Sequence, residues 1–306
     1  MRFKLKALTD IWTGGVKDKE HLHLTGIRGS IRWWYEALVR AYGGYACDPT
    51  DKDHRCKLQH SDLRNRLKEH NNDLQKALND LICPACQFFG CTGWSAKFAL
   101  RITDASGKEI TTSIKRGLLF ELSFIPKKIF TETEENLLKK TIKLIVEYGA
   151  IGGRTVLKPS ENKDKNKLSY RKKNHLDYGI IAYQDGYEID RTGNLILKKP
   201  PDKNNYPDWP NLRYFWFIKG AYIDRKGFNK IINNVSLSSF LKGRIGESKK
   251  IFSFHGQTSC EANRVRRCFG YVRNEEELDI IKGKIKDICK IKDNQILAWE
   301  TIQNEL

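Results

Sequence analysis

The sequence predicts an α+β fold built from two consecutive units of similar kind. Short stretches in which apolar and polar side chains alternate read as half-buried strands. Longer stretches repeat apolar residues with helical period, and one carries a capping signal at its start. In the first half these elements follow the order strand, helix, strand, strand, helix, strand.

Residues 2–7 open the chain as a strand, with Phe3, Leu5 and Ala7 on one face and Arg2, Lys4 and Lys6 on the other. A loop containing Thr13-Gly14-Gly15 follows. A helix over about 25–42 aligns Ile27, Ile31, Trp34, Leu38 and Ala41 in one stripe, and Arg28, Arg32, Glu36 and Arg40 spread over the opposite face. Trp33 falls off the apolar stripe, beside Arg40. Its position predicts a contact outside its own core, to a base, a neighbouring subunit or an inserted helix. Gly43-Gly44 ends this helix.

Residues 48–82 read as an insertion. They hold a helix from about Ser61 with Leu63, Leu67, Leu74, Leu78 and Leu81 in register. Strands follow at 97–103 (Phe98, Leu100, Ile102) and 118–124 (Leu118, Phe120, Leu122, Phe124), the second stopped by Pro126. Thr131 and Glu134 have the spacing of a capping box for a helix carrying Leu137, Leu138, Ile142, Ile145 and Tyr148. Residues 180–183 supply a fourth strand. This order is the ferredoxin-like arrangement, which RNA-recognition domains also use.

Residues 157–175 hold seven Lys/Arg and two acids and read as a basic loop, and 200–210 contain half of the prolines and read as a linker. Beyond it come strand-like 212–219, short helices at 226–235 and 236–241, strands at 250–254 and 265–272, and a final helix from Asn274 and Glu277 bearing Leu278, Ile281, Ile285 and Ile288. We therefore place a ferredoxin-like domain at 1–205, with an insertion at about 48–82, and a degenerate second one at 206–306.

The chain has 306 residues, 55 Lys+Arg against 37 Asp+Glu and a formal net charge of +18. Lys-rich chains also occur in AT-rich genomes and in thermophiles, but an excess of this size points to a polyanionic partner, and nucleic acid is the commonest. With 40% hydrophobic residues the chain is not disordered, and no apolar run is long enough to span a membrane. The charged N-terminal stretch is unlike a secretory signal. The expected location is the cytoplasm, where the eight cysteines would be thiols or metal ligands rather than disulfides.

Cys83-Pro84-Ala85-Cys86 can present two thiolates to one tetrahedral zinc ion from a tight turn. Cys47 and Cys56 flank the same insertion and are the best second pair, with His54 as substitute; the competing reading is buried free cysteines. Cys91 is a further candidate, within a Phe-Phe-Gly-Cys-Thr-Gly run that reads as a strand entry. The expectation is one structural zinc on Cys47, Cys56, Cys83 and Cys86. Glycine clusters at 13–15, 25–30 and 149–154 sit at element ends, where backbone amides can approach a phosphate. None matches a P-loop or a dinucleotide fingerprint, and each alone reads as a plain turn or cap. His21 and His23, in the first loop, are the only hint of acid–base catalysis, and solvated loop histidines are the plainer reading.

Several blocks resemble a known family. Ile11-Trp12-Thr13-Gly14-Gly15, the run from Thr25-Gly26-Ile27-Arg28-Gly29-Ser30 through Trp33-Trp34-Tyr35 to Arg40, and Gly43 to Pro49 are similar to the first-subunit family of the Cmr effector complex, the RAMP-module protein of type III-B CRISPR systems. Cys83 to Ser95 resembles the next block, Gly152-Gly153-Arg154 the glycine-rich turn of RAMP proteins, and Lys249 to Phe254 a later block. The similarity is dense over the first hundred residues and thin after about 155. It implies two tandem ferredoxin-like domains and a non-catalytic role in antiviral defence, near the 3′ end of the guide RNA. There the chain would sit beside other RAMP subunits and help to capture target RNA. Two alternatives stay open: a metal-independent endoribonuclease that processes CRISPR RNA with a histidine, and a protein-interaction module that touches no RNA. Expected RNA contacts are Arg28, Arg32, Trp33, Gly152, Gly153, Arg154, Lys249, Lys250, Arg264, Arg266 and Arg267, on guide or target RNA. Most act through phosphates, because arginines one turn apart on a helix can face one strand.

Overall fold

Alternation along Arg2–Ala7 (β1) buries Phe3, Leu5 and Ala7 and leaves Arg2 and Lys4 exposed, as a sheet covered on one face requires. The computed structural model describes residues 1–14, 20–155, 177–186, 195, 197, 208–233, 236–243, 249–255, 262–289, 291–292 and 295–306. The basic stretch 157–175, most of 200–210 and the domain boundary drawn near 205 lie outside the described residues.

After β1 come α1 (Leu24–Ala41), the inserted α2 (His60–Glu69), α3 (Leu74–Leu81) and α4 (Pro84–Phe89), then β2 (Phe98–Asp104), β3 (Leu119–Pro126), α5 (Glu132–Glu147) and β4 (Ile181–Tyr183). The strands lie in the order β2-β3-β1-β4, all pairs antiparallel, which is the ferredoxin-like order. The Thr131 hydroxyl accepts the Glu134 N–H and the Glu134 carboxylate accepts the Thr131 N–H, completing the capping box of α5.

The second half repeats the arrangement: β5 (Phe215–Lys219), α6 (Arg225–Asn233), α7 (Ser238–Lys242), β6 (Ile251–Phe254), α8 (Ala262–Val265), β7 (Arg267–Tyr271), α9 (Glu275–Cys289), β8 (Ile296–Leu297) and α10 (Trp299–Glu305). Its sheet runs β6-β7-β5-β8, again antiparallel. Together the two sheets make tandem ferredoxin-like units.

The way the units meet follows from strand parity. In β5 and β7, Phe215 pairs with Tyr271 and Phe217 with Phe269 on one face, while Trp216 pairs with Gly270 and Ile218 with Cys268 on the other. The first face joins the core that contains Ile31 and Trp34 of α1 and Ile145 of α5. The second packs on Phe228 and Ile231 of α6 and on Leu278, Ile281 and Ile285 of α9. The second sheet is therefore buried on both faces, and β5 reads as a continuous apolar run rather than an alternating one. A Cβ at Gly270 would meet the Trp216 ring at 2.5 Å, so only glycine fits opposite that indole.

Trp33 takes part in this junction. Its ring lies 5.6 Å from Tyr271, 5.8 Å from Phe215 and 6.3 Å from Phe252, all on the second sheet. The contact outside its own core exists, but its partner is the other half of the same chain. Arg267, expected at a phosphate, is buried here instead. It donates to the carbonyls of Val146 (2.8 Å) and Gly149 (3.3 Å) at the end of α5, and to that of Arg264 (2.7 Å). It thus satisfies helix-end acceptors that nothing within the helix can pair. Burial lowers its pKa to about 10.

Other expectations shift. The long inserted helix is two helices, because Asn71 and Asn72 adopt left-handed φ values of 50° and 65° and end α2. The run at Phe88-Phe89 is helix α4, not a strand entry, and Val265 closes a helical turn before β7 begins.

Trp33→Ala in the isolated chain should lower stability by about 3 kcal/mol through the aromatic volume it removes, seen as a clear drop in thermal midpoint. Arg267→Ala should cost about 2–4 kcal/mol by orphaning buried carbonyls. An unchanged midpoint in either variant would contradict this junction.

Candidate metal centre and nucleic-acid groove

Four cysteines converge where the insertion leaves and rejoins the first unit. Pro84 occupies the first position of α4, where its fixed φ suits the helix. Cys83 caps that helix: its sulfur accepts the Cys86 N–H at 3.4 Å. The Cys83 N–H in turn donates to Cys56 Sγ at 3.4 Å. The Cys47 sulfur lies 3.5 Å from that of Cys86 and 3.8 Å from that of Cys83. All four sulfurs are within 4.8 Å of one another and buried. Cys56 reaches this point because Leu58 docks on Thr92 (N–H to O, 2.8 Å) over Gly93, where a Cβ would strike the Leu58 carbonyl.

These spacings fit a metal. A disulfide requires about 2.05 Å between sulfurs. A tetrahedron of thiolates about 2.3 Å from a zinc ion has edges of about 3.8 Å. Hydrogen bonding to Cys56, then to Cys83 and Cys86, pulls the Cys47 thiol far below the usual range. The bond to Cys47 pushes Cys56 and Cys86 up, and burial does the same to Cys83. Thiolate ligands of a metal must be deprotonated, so metal binding here would release protons. Cys91 stands outside the four, half-exposed and hydrogen-bonded to Cys86, which lowers its pKa. His54 is exposed and bonded to Asp51 at 2.7 Å, so it is not a substitute ligand.

The polar face of α1 separates this cluster from a groove. Arg32 donates from Nε to Glu36 Oε1 (2.6 Å), from Nη1 to the Gly90 carbonyl (2.8 Å) and from Nη2 to Cys86 Sγ (3.1 Å). Burial works against its charge, but Glu36 and then Cys86 outweigh it and raise its pKa. Arg40 donates to the carbonyls of Ala46 (2.8 Å), Cys47 (3.2 Å) and Pro210 (2.9 Å), which ties the cysteine loop to the second half. Its Nε is buried with no partner among the described residues. Burial raises the Glu36 carboxyl to about 7, with Arg32 opposing.

The groove encloses about 870 Å³ between the units. Its walls carry four cationic side chains, Arg28, Arg32, Arg40 and Lys250, against the two carboxylates of Glu36 and Asp48. Trp33, Trp94, Trp209 and Tyr271 add aromatic surface, and Trp209 is 41% exposed. Lys128 Nζ sits 3.3 Å from the Trp94 ring centroid. Cationic side chains together with the exposed Trp209 and the half-buried Trp94 make a surface that can hold phosphates and stack bases.

Among the expected RNA contacts, Arg28, Arg32, Trp33 and Lys250 come together here, from both halves. Lys250 is buried, with Nζ 5.1 Å from the Phe240 ring centroid, and lines the groove. Lys249 is half-exposed beside it. Arg264 and Arg266 line a separate hollow of about 220 Å³ with Lys219, and Arg266 donates to the His255 carbonyl. Gly152 and Gly153 do not offer their amides to a phosphate: one donates to Ser30 Oγ (3.1 Å), the other to the Trp12 carbonyl (2.7 Å). Their need for glycine is close approach to Trp12. Arg154 is exposed, has φ 58° and stacks its guanidinium 4.0 Å from the Trp12 ring centroid. His21 and His23 lie edge to face at 5.0 Å, in a loop pinned by the Thr13 hydroxyl, and neither lines the groove. The sequence reading missed Trp94 and Trp209; the Trp94-Ser95 end of the cysteine block was their only local signal.

Comparison with known proteins gives the family. None of the curated proteins matches the chain. Among solved structures it is similar to Cmr1 from Pyrococcus furiosus in its apo form, with TM-score 0.40 and 11% identity over 90% of this chain and 88% of that one. It is also similar to a chain of the type III-B Cmr-beta complex bound to cognate target RNA and AMPPnP, with TM-score 0.39 and 11% identity over 95% of this chain and 98% of that one. The family model of the RAMP superfamily matches residues 4–157, which covers β1, α1, the cysteine cluster and the glycine-rich turn. The chain belongs to the RAMP superfamily.

Proposed function

We propose that this protein is a non-catalytic RNA-binding subunit of a type III-B CRISPR (Cmr) effector, with a structural zinc ion on Cys47, Cys56, Cys83 and Cys86. The observation that carries the RNA reading is the groove, where Arg28 and Arg32 of the first unit face Lys250 of the second among Trp33, Trp94 and Trp209. The Cmr assignment is supported by the ordered sequence blocks that build this groove: Thr25 to Arg40 forms its helical wall, and Cys83 to Ser95 forms the cysteine turn and the loop bearing Trp94. In this reading the chain lies near the 3′ end of the guide RNA in a cytoplasmic complex. It contacts other RAMP subunits and helps to hold target RNA, while cleavage belongs elsewhere. The zinc reading is supported by the sulfur spacings; bound there, zinc would tie both ends of the insertion to the first domain, a role a disulfide cannot fill in a reducing compartment.

Metal analysis of the purified chain should find about one zinc per chain, and Cys83→Ser should lose it together with thermal stability. A content below about 0.2 with normal folding of Cys83→Ser would leave four buried free thiols as the better reading.

Filter binding to single-stranded RNA should show a salt slope of roughly −3.5, for about five neutralised phosphates, or about 100-fold weaker binding at 200 mM than at 50 mM salt. Arg28→Ala should reduce the slope by about 0.7 and weaken all sequences alike. Trp209→Ala should weaken binding by about 1–3 kcal/mol and leave the slope unchanged, because stacking releases no counterions. A slope near zero for the wild type would favour the protein-interaction reading.

A further inference from the structure

One side chain, Arg32, touches the cysteine cluster and also lines the groove. A guanidinium has five N–H donors in one rigid plane. Three donor positions of Arg32 are taken: Nε on Glu36, Nη1 on the Gly90 carbonyl and Nη2 on Cys86 Sγ. Each terminal nitrogen keeps one more N–H, and the same side chain forms part of the groove wall. Because the fork is planar, fixing three donors fixes the direction of the other two. The Cys86 sulfur is thus one of three points that aim Arg32, and it is also one of the four sulfurs of the cluster.

We propose that Arg32 is a positioning residue that couples the metal centre to the groove, so that metal occupancy sets RNA affinity. A metal ion held by Cys47, Cys56, Cys83 and Cys86 would fix the Cys86 sulfur in place. The sulfur accepts one Arg32 N–H, and the guanidinium presents its remaining donors to an RNA phosphate. The charges suit this. A divalent ion with four thiolates would carry two net negative charges, and the half-buried Arg32 and the buried Arg40 are the cations set against them, Arg40 through the backbone of Cys47. A lysine at position 32 keeps the charge but has no fork, so it cannot satisfy Glu36, Gly90 and Cys86 together. Coupling of this kind is reciprocal: RNA must tighten metal retention by the factor by which metal tightens RNA binding.

This inference rests on the RNA-groove reading, and its test separates the two. The full chain is loaded with cobalt(II), whose thiolate-to-metal absorption bands report on the sulfurs, and compared with Arg32→Lys at equal cobalt content. Arg32→Lys should shift these bands, since Cys86 loses a charged N–H partner. A saturating single-stranded oligouridine should raise the apparent cobalt affinity, read by equilibrium competition with a chelator, about 5–10-fold in the wild type and less than about 2-fold in Arg32→Lys. Identical bands, or an equal gain in cobalt affinity in both proteins, would overturn the coupling while leaving RNA binding intact. Failure of the cobalt-loaded wild type to bind the oligouridine would overturn the RNA reading itself.

Discussion

Helix α1 has to be buried on two sides, and most of the molecule follows from that requirement. Its apolar stripe, from Ile27 through Ile31 to Leu38, packs into the core of the first unit. Glu36 and Arg40, on the polar face, are buried as well. Burying charge is costly unless each group is paired. Glu36 takes Arg32; Arg32 takes Gly90 and Cys86; Arg40 takes the backbone of the cysteine loop and of Pro210. The loop that leads into the insertion, the cysteine turn and the start of the second unit all satisfy this one helical face.

The second constraint is the two-faced sheet of the second unit. A ferredoxin-like sheet carries helices on one face and leaves the other to be covered. Here the open face lies against α1 and α5, with Phe215, Phe269 and Tyr271 meeting Trp33 and Trp34. Arg267 adds a polar lock at the end of α5. One wall of the groove is helix α1, held by packed aromatics, and the loops around Asp48, Trp94 and Trp209 complete it.

The first unit was legible in the sequence because its signals are local. Alternation in β1, the Thr131–Glu134 box and the stripe of α1 each follow from a short window. The Cys-x-x-Cys turn was legible for the same reason. Its partners Cys47 and Cys56 were weaker, since eight intervening residues match no fixed ligand spacing. Other features depend on distant residues. Trp33 looks exposed on its helix until Phe215, about 180 positions later, covers it. Arg267 looks like a surface cation until the end of α5 appears beside it. Gly152 and Gly153 look like a phosphate loop until Trp12 fills the space. β8 is two residues long and left no periodic trace.

The claim on which the account turns is that nucleic acid enters the groove between the two units. Photo-crosslinking of 5-iodouridine-substituted single-stranded RNA to the full chain, mapped by mass spectrometry, tests it most directly, because halogenated bases couple to the aromatics on which they stack. The account predicts crosslinks at Trp94 and Trp209, competed away by unlabelled RNA and reduced by Arg28→Ala. Crosslinks confined to the far side of the first sheet, with none at either tryptophan, would contradict it.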